Sequence, residues 1–318
     1  MIDFRYHLVS IVSIFIALAV GIVLGAGPLQ QQIGRTLNTQ VATLRQEKAD
    51  LRTQLTAAER QQEAGQSFVT AVTPQLVASR LGGRSVVLVT LPGSSSSVVD
   101  DLGATLRASG ATVNGVVQVE SAWVDPARSS VRDQLSGSLA AAVGSTTPSD
   151  ASPEDRMGEL LARALVVNQL SQADRPTSGS RQALSELKDA GMVSFSGDGP
   201  APATLAVVVG GVPDSEADPD QRSAALAAWT AIGAHLDAAS SGAVVSGPPE
   251  SAANGGMVAA VRSDGDVRKQ VSTVDDVAQP MGQVAVVYAL RQQMAGEAGQ
   301  YGAGPGASSV LPPLADAR

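Results

Sequence analysis

The sequence contains no cysteine, only two histidines and nine aromatic residues among its 318 positions. The lack of cysteine excludes disulfides and thiolate metal sites. Neither His7 nor His235 has a second histidine at metal-ligand spacing, and no nucleophile-elbow, dinucleotide-binding or P-loop motif is present. We therefore predict no enzyme, no catalytic residues and no cofactor, and the sequence leaves any metal ligands unknown.

Charge is absent from one long stretch near the start, Leu8–Ala26. Nineteen residues at about 1.5 Å each just span the ~30 Å hydrocarbon core of a bilayer. A signal-peptide core is shorter, and Leu24 and Pro28 make a poor cleavage site; a buried core helix is usually polar on one face. The pattern predicts an uncleaved transmembrane signal-anchor over 8–26.

Two glycines in this stretch, Gly21 and Gly25, have the spacing that lets membrane helices pack closely. Glycine is also simply frequent in membrane helices, so both interpretations stay open. Basic residues on the two sides of the stretch are nearly balanced. Because short amino-terminal tails commonly stay inside, we expect residues 1–7 in the cytoplasm and residues 28–318 outside the cell membrane.

The next segment, 30–68, has apolar residues at alternating spacings of three and four and contains no proline. This pattern predicts a coiled coil, and one polar a position among leucines at d favours a parallel dimer. A single solvated helix packed on the later domain is the alternative. Pro74 is expected to end the helical stretch. The predicted interface residues occupy the a and d positions: Leu37, Val41, Leu44, Lys48, Leu51, Leu55 and Ala58.

From residue 85 to residue 294, short valine-rich runs alternate with helical patterns. Continuous apolar strands separated by amphipathic helices predict an α/β domain with a mostly parallel sheet covered by helices. The Gly/Pro/Ala-rich tail 295–318 is expected to be disordered. The predicted strands are Ser85–Leu91, Thr112–Glu120, Met192–Phe195, Thr204–Val209 and Ala243–Ser246. The predicted helices are Ser97–Ala108, Glu154–Gln169, Gln182–Ala190, Arg222–Ala239 and Gln283–Met294.

Glycine-containing turns follow the first and fourth predicted strands. In open α/β sheets the carboxyl ends of such strands line the ligand crevice. A turn that only caps the following helix is the alternative for the serine-rich one. The candidate cleft residues in the two turns are Pro92, Gly93, Ser94, Ser95, Gly210 and Gly211.

The charge of the chain is divided unevenly. Residues 1–84 hold 8 Lys/Arg and 5 Asp/Glu, whereas residues 85–318 hold 14 and 25. A domain with a net charge of −11 argues against nucleic acid as a partner, since that binding needs a basic surface.

The opening MIDFRYHLVSIVSIFIALAVGIVLGAGPL, the leucine heptads and the late segment Ser272–Leu290 closely resemble the actinobacterial MctB family. The resemblance implies a membrane-associated envelope protein with a role in copper efflux, for which an outer-membrane pore has been proposed. Similar proteins are described as coiled-coil partners of peptidoglycan hydrolases in cell separation, which is the alternative function.

The residue types present do not favour direct ion conduction or direct copper binding by this chain. Transmembrane barrels need aromatic girdles and alternating strands, and copper prefers Cys, Met or His ligands. Six methionines are scattered along the chain without a cluster. The residues favour a dimeric, membrane-anchored scaffold with an envelope protein partner over a transporter, and a transporter over an enzyme.

Overall fold

The computed structural model describes residues 4–25 and 28–313; the side chains of residue 24 and of residues 28–38 lie outside the described set. The chain divides into two compact units, Met1–Gly65 and Gln66–Arg318.

Unit one is helical throughout its described residues. Helix α1, Phe4–Gly25, has a stretch, Phe4–Val23, that is long and apolar enough to cross a membrane. The predicted segment 8–26 therefore lies almost entirely in this helix; Ala26 is outside the described residues. Helix α2, Pro28–Val77, begins in unit one and continues into unit two. Every described side chain of unit one is exposed.

The expectation that Pro74 ends the helical stretch is wrong, since α2 continues through it to Val77. Proline has no N–H to donate, so the helix loses one backbone hydrogen bond there. Packing compensates for that loss: Val77 is fully buried, and the Tyr288 hydroxyl donates to the carbonyl of Leu76 at 2.9 Å. Tertiary contacts have outweighed local propensity.

Unit two is built on a seven-stranded sheet with the order β3-β2-β1-β4-β5-β6-β7. All neighbouring pairs are parallel except β2 and β3, which are antiparallel. This agrees with the predicted mostly parallel sheet. The strands are β1 Ser85–Thr90, β2 Thr112–Val119, β3 Val193–Ser194, β4 Leu205–Val209, β5 Ala243–Ser246, β6 Ser272–Val274 and β7 Gln300–Tyr301.

Helices cover both faces of the sheet and create two cores. Val86 and Leu88 of β1 face one core together with α3 and α9, while Val87 and Val89 face the other, with α4 to α8. Because successive strand residues point to opposite faces, a strand buried on both sides has a continuous apolar run, which in β1 covers residues 86–89. The helices of unit two after α2 are α3 Ser96–Ala108, α4 Ser129–Val143, α5 Pro153–Leu165, α6 Ser178–Asp189, α7 Pro219–Ala239, α8 Met257–Ser263 and α9 Pro280–Gln293.

Local caps set several helix starts. Ser152 accepts from the Asp155 N–H before Pro153, and Asp218 accepts from the Asp220 N–H before Pro219. Proline at the first helical position costs nothing, because that N–H has no helical partner. Helix α5 ends earlier than predicted, since Val166 leaves it to pair with Ala203.

The expectation of a disordered tail is wrong for residues 295–313. Strand β7 pairs with β6, and the following turn is held by a buried ion pair between Arg262 and Asp275, at 2.8 Å. Arg262 donates to the carbonyls of residues 301 and 305, and Asp275 accepts from the N–H groups of residues 303 and 304. A Cβ on Gly302 would lie 2.0 Å from Asp275. Glycine here allows close packing on a carboxylate.

Candidate functional site

The chain reverses its direction of winding between β1 and β4. Strand β1 leads into α3 on one face of the sheet, and β4 leads into α7 on the other. Such a switch point opens a crevice at the carboxyl ends of the two strands, which is where open α/β sheets bind ligands. The two glycine-containing turns singled out in the sequence both lie at this edge.

Backbone contacts hold the two turns side by side. The N–H of Leu91 donates to the Val209 carbonyl at 2.9 Å, and the Ser94 hydroxyl lies 2.7 Å from the carbonyls of both residues. Gly210 is required by space: a Cβ there would lie 2.5 Å from the sulfur of Met257. The Ser94 side chain therefore joins two strand ends.

The serine-rich turn precedes helix α3, but its N-cap residue does not cap the helix with a side-chain hydrogen bond. Ser95 precedes α3 at the N-cap position but accepts no backbone hydrogen bond; its hydroxyl lies 2.8 Å from that of Ser97.

A cavity of about 440 Å³ opens at this edge. Of the six candidate residues, Pro92 and Gly93 line it, while the other four lie outside its lining. Other parts of the lining come from the turn after β4, which the sequence indicated as far as Pro213, and from the segment after β2 and from α7, which it did not. The additional lining residues are Ser121, Val124, Asp125, Pro126, Val212, Pro213, Asp214, Ala217, Gln221, Arg222, Ala225 and Trp229.

The polar groups of this cavity are mostly occupied by the backbone. Asp125 accepts from the N–H of residue 127 at 2.9 Å, Asp214 accepts from that of residue 216 at 3.0 Å, and Arg222 donates to the Ser215 carbonyl at 2.8 Å. Trp229 differs: it is only 2% exposed, and its indole N–H has no partner among the described residues. A buried unpaired donor costs about 1–3 kcal/mol.

A second cavity, of about 790 Å³, lies among α4, α5, α6 and α7 and has Glu159 and His235 in its lining. Burial of Glu159 disfavours its charge, but hydrogen bonds from Ser145, Thr146 and Thr147 outweigh burial and hold the pKa of Glu159 well below its usual range. Arg163 also donates to Glu159 at 2.7 Å. The carboxylate is fully engaged in fixing the 144–147 turn, so this site is structural.

The residues with metal-binding chemistry are dispersed. In the described parts of the chain, no group of three or more His, Asp or Glu side chains is arranged to hold a metal ion. His235 lies 3.4 Å from Asp155 alone. Met157, Met192 and Met257 are buried among apolar core residues.

The predicted coiled-coil positions are exposed on α2. Val41, Leu44, Leu51 and Leu55 are 42–64% exposed, and Lys48 and Ala58 are exposed too. The side chain of Leu37 lies outside the described residues. We call these a and d positions the heptad seam. On α1, a Cβ at Gly21 or Gly25 would meet nothing within 4 Å in a single chain.

An amino-terminal helix long and apolar enough to cross a membrane, a long exposed helix and a mostly parallel sheet covered by helices define the class of this α/β protein. Residues 1–312 match the family model described as "Copper transport outer membrane protein, MctB". This chain belongs to the MctB family.

Similar curated proteins extend the match over the full length. Proteins named "Copper transporter MctB" from Mycobacterium bovis and Mycobacterium tuberculosis are 29% identical to this chain, over 98% of it and 99% of each relative. The protein of that name from Mycobacterium leprae is also 29% identical, over 98% of this chain and 100% of the relative. The family's description names transport and no enzymatic reaction.

Proposed function

We propose that this protein serves copper homeostasis at the cell envelope as a membrane-anchored, dimeric scaffold. Helix α1 is the anchor, the heptad seam is the dimer interface, and unit two is an extracytoplasmic head that holds an envelope protein partner. The family's description supports the copper role and suggests the outer membrane or envelope as its location. A pore formed by this chain alone is the less favoured function.

The heptad seam is the observation that carries the scaffold proposal. Four apolar side chains recur at a and d positions and are exposed in the single chain. Pairing two such helices would remove that apolar surface from water, which stabilises the dimer by about 25 cal/mol per Å² of apolar area buried. Two anchored heads presented together would also raise the avidity for a partner.

The head itself supports a holding role. Its sheet is buried on both faces, and its described residues contain no cluster of His, Asp and Glu for a metal. We therefore assign copper handling to the assembled complex. The same architecture suits the alternative, a cell-separation regulator that holds a peptidoglycan hydrolase, and the identity of the partner distinguishes the two.

Topology is tested by cysteine labelling, which is clean because the chain has no native cysteine. Ser240→Cys should react with a membrane-impermeant thiol reagent in intact cells, and the matched His7→Cys should react only after lysis. Labelling in the opposite order would refute an extracytoplasmic head.

Function is tested by complementing a deletion strain. The full chain should restore copper tolerance, and a variant with the heptad seam disrupted should not, while an envelope pull-down with the full chain captures a specific partner. Restoration of copper tolerance by the seam variant, or ion conductance by the pure protein in bilayers, would refute the scaffold. If deletion changes cell separation and leaves copper tolerance unchanged, the alternative replaces the copper role.

A further inference from the structure

The switch-point cavity has the size and the walls of a small-molecule site. Its volume of about 440 Å³ falls within the range of roughly 300–1,000 Å³ for such sites. Pro92, Pro126 and Pro213 line it together with Ala225 and Trp229. Because proline fixes its own φ, three prolines make a wall that is largely formed before a ligand arrives.

The rim of the cavity is acidic. Two carboxylates, those of Asp125 and Asp214, and one guanidinium, that of Arg222, belong to the lining. The Arg222 group donates to the carbonyl of Ser215, and Arg132, outside the lining, donates to that of Asp125. The lining therefore has more carboxylates than guanidinium groups, and the exposed carboxylates that follow Asp214 in the sequence, those of Glu216, Asp218 and Asp220, add negative charge next to it, which attracts cations.

We propose that the switch-point cavity binds a small amphiphilic organic cation. The apolar body of the ligand lies against the proline, alanine and tryptophan walls, and its ammonium group lies at the rim near Asp125 and Asp214. The apolar walls favour a ligand with an apolar body over a bare metal ion. The proposal is independent of copper handling and of dimerisation, so it stands or fails separately from the scaffold.

Three probes of similar size and different charge test the proposal: 2-phenylethylamine, 2-phenylethanol and 3-phenylpropanoate. The full chain, in lipid nanodiscs and labelled with 5-fluorotryptophan, has two ¹⁹F signals, from Trp123 and Trp229; Trp123→Phe assigns them. The amine should shift the Trp229 signal saturably and bind most tightly, followed by the alcohol and then the acid. The proposal is refuted by an amine that gives no saturable shift, or by an alcohol or acid that binds as tightly.

Charge variants at the rim provide the second test. Asp125→Asn with Asp214→Asn keeps both oxygen acceptors for the backbone and should weaken amine binding roughly three- to tenfold. The matched control, Asp150→Asn with Asp198→Asn, removes two exposed carboxylates outside the lining and should leave binding unchanged. Equal weakening by both pairs would show only a general charge effect and would overturn the proposal.

A positive charge at the cavity should reduce the preference for the amine. Val212 is 44% exposed and lines the cavity, so Val212→Lys can be made without disturbing the core. The ratio of amine affinity to acid affinity should then fall several-fold. Val310→Lys, at a valine with 43% exposure outside the lining, should retain the original ratio. An unchanged ratio in Val212→Lys would place the ammonium elsewhere and overturn the proposal.

Discussion

The two units of this chain place their apolar side chains in opposite environments. In unit one, the leucines and valines of α1 and of the heptad seam are exposed, whereas in unit two the same residue types fill two cores. Residues 1–65 hold 6 Lys/Arg and 5 Asp/Glu, and residues 66–318 hold 16 and 25. In a single chain, unit one therefore leaves its apolar side chains in contact with solvent, whereas unit two buries its own.

The largest expected effect of a substitution is on unit one. Leu44→Ser with Leu51→Ser should convert a dimer into a monomer, because each lost apolar position at a buried seam costs roughly 2–5 kcal/mol. Light scattering of the full chain, corrected for detergent, measures the mass. The thermal unfolding of unit two should stay the same, since these residues belong to the other unit.

The matched control for the heptad seam uses the same replacement at neighbouring positions. Ala42→Ser with Ala49→Ser changes two exposed residues of the same helix that lie outside the a and d positions, and this variant should remain dimeric. A dimeric Leu44/Leu51 variant, or a wild-type chain that is already monomeric, would show that the heptad seam is not a dimer interface.

The next largest effect is expected inside unit two. Arg262→Met should destabilise this unit by roughly 3–5 kcal/mol, because it leaves Asp275 as a buried charge without its cation. Both side chains are at most 6% exposed. Urea unfolding, followed through the fluorescence of Trp123 and Trp229, reports on this unit alone. Arg268→Met, at an exposed arginine, should cost much less; equal losses would mean that the ion pair contributes little.

Strong patterns were predictable from the sequence, and short elements were less so: the two-residue β3 lies within the predicted Met192–Phe195, but β6 and β7 were missed. The valine-rich strands β1, β4 and β5 were found within one residue of their observed ends, because burial on both faces leaves continuous apolar runs. Strands β6 and β7 have only three and two residues, which is too few for a period. Helix α4 was missed because serine, alanine and glycine dominate it, and Leu135 and Leu139 are its only large buried residues.

The candidate site was half predictable for a related reason. The carboxyl ends of β1 and β4 follow from the strand pattern, so Pro92 and Gly93 could be placed at the crevice. The contributions of Val124, Arg222 and Trp229 depend on how α7 and the segment after β2 pack, and one sequence contains no signal for that packing. The tail was misjudged because glycine serves both flexible chains and close contacts.

The smallest expected effect on the unfolding free energy concerns one carboxyl group of unit two, that of Asp237. Asp237 lies in the last turn of α7 and accepts from the N–H of Ala243 at 2.9 Å. Burial raises its pKa to about 6, from 3.8. The folded state therefore holds the proton more tightly, and the stability that this supplies is complete below pH 3.8 and is lost as pH rises through about 6. Asp237→Asn keeps an oxygen acceptor and carries no charge. The variant should exceed the wild type by about 1–2 kcal/mol in unfolding free energy at pH 7, and the two should converge near pH 4.

Urea titrations at the two pH values measure the difference, with the exposed Asp198→Asn as the control that should match the wild type at both. If Asp237→Asn is still more stable than the wild type at pH 4, its gain in unfolding free energy does not come from the buried charge. If the variant is less stable than the wild type at pH 7, the ionised carboxylate stabilises the fold. The expected result sharpens the contrast between the units: unit two tolerates a charge at a cost within its own packing, whereas unit one leaves its apolar side chains exposed in the single chain.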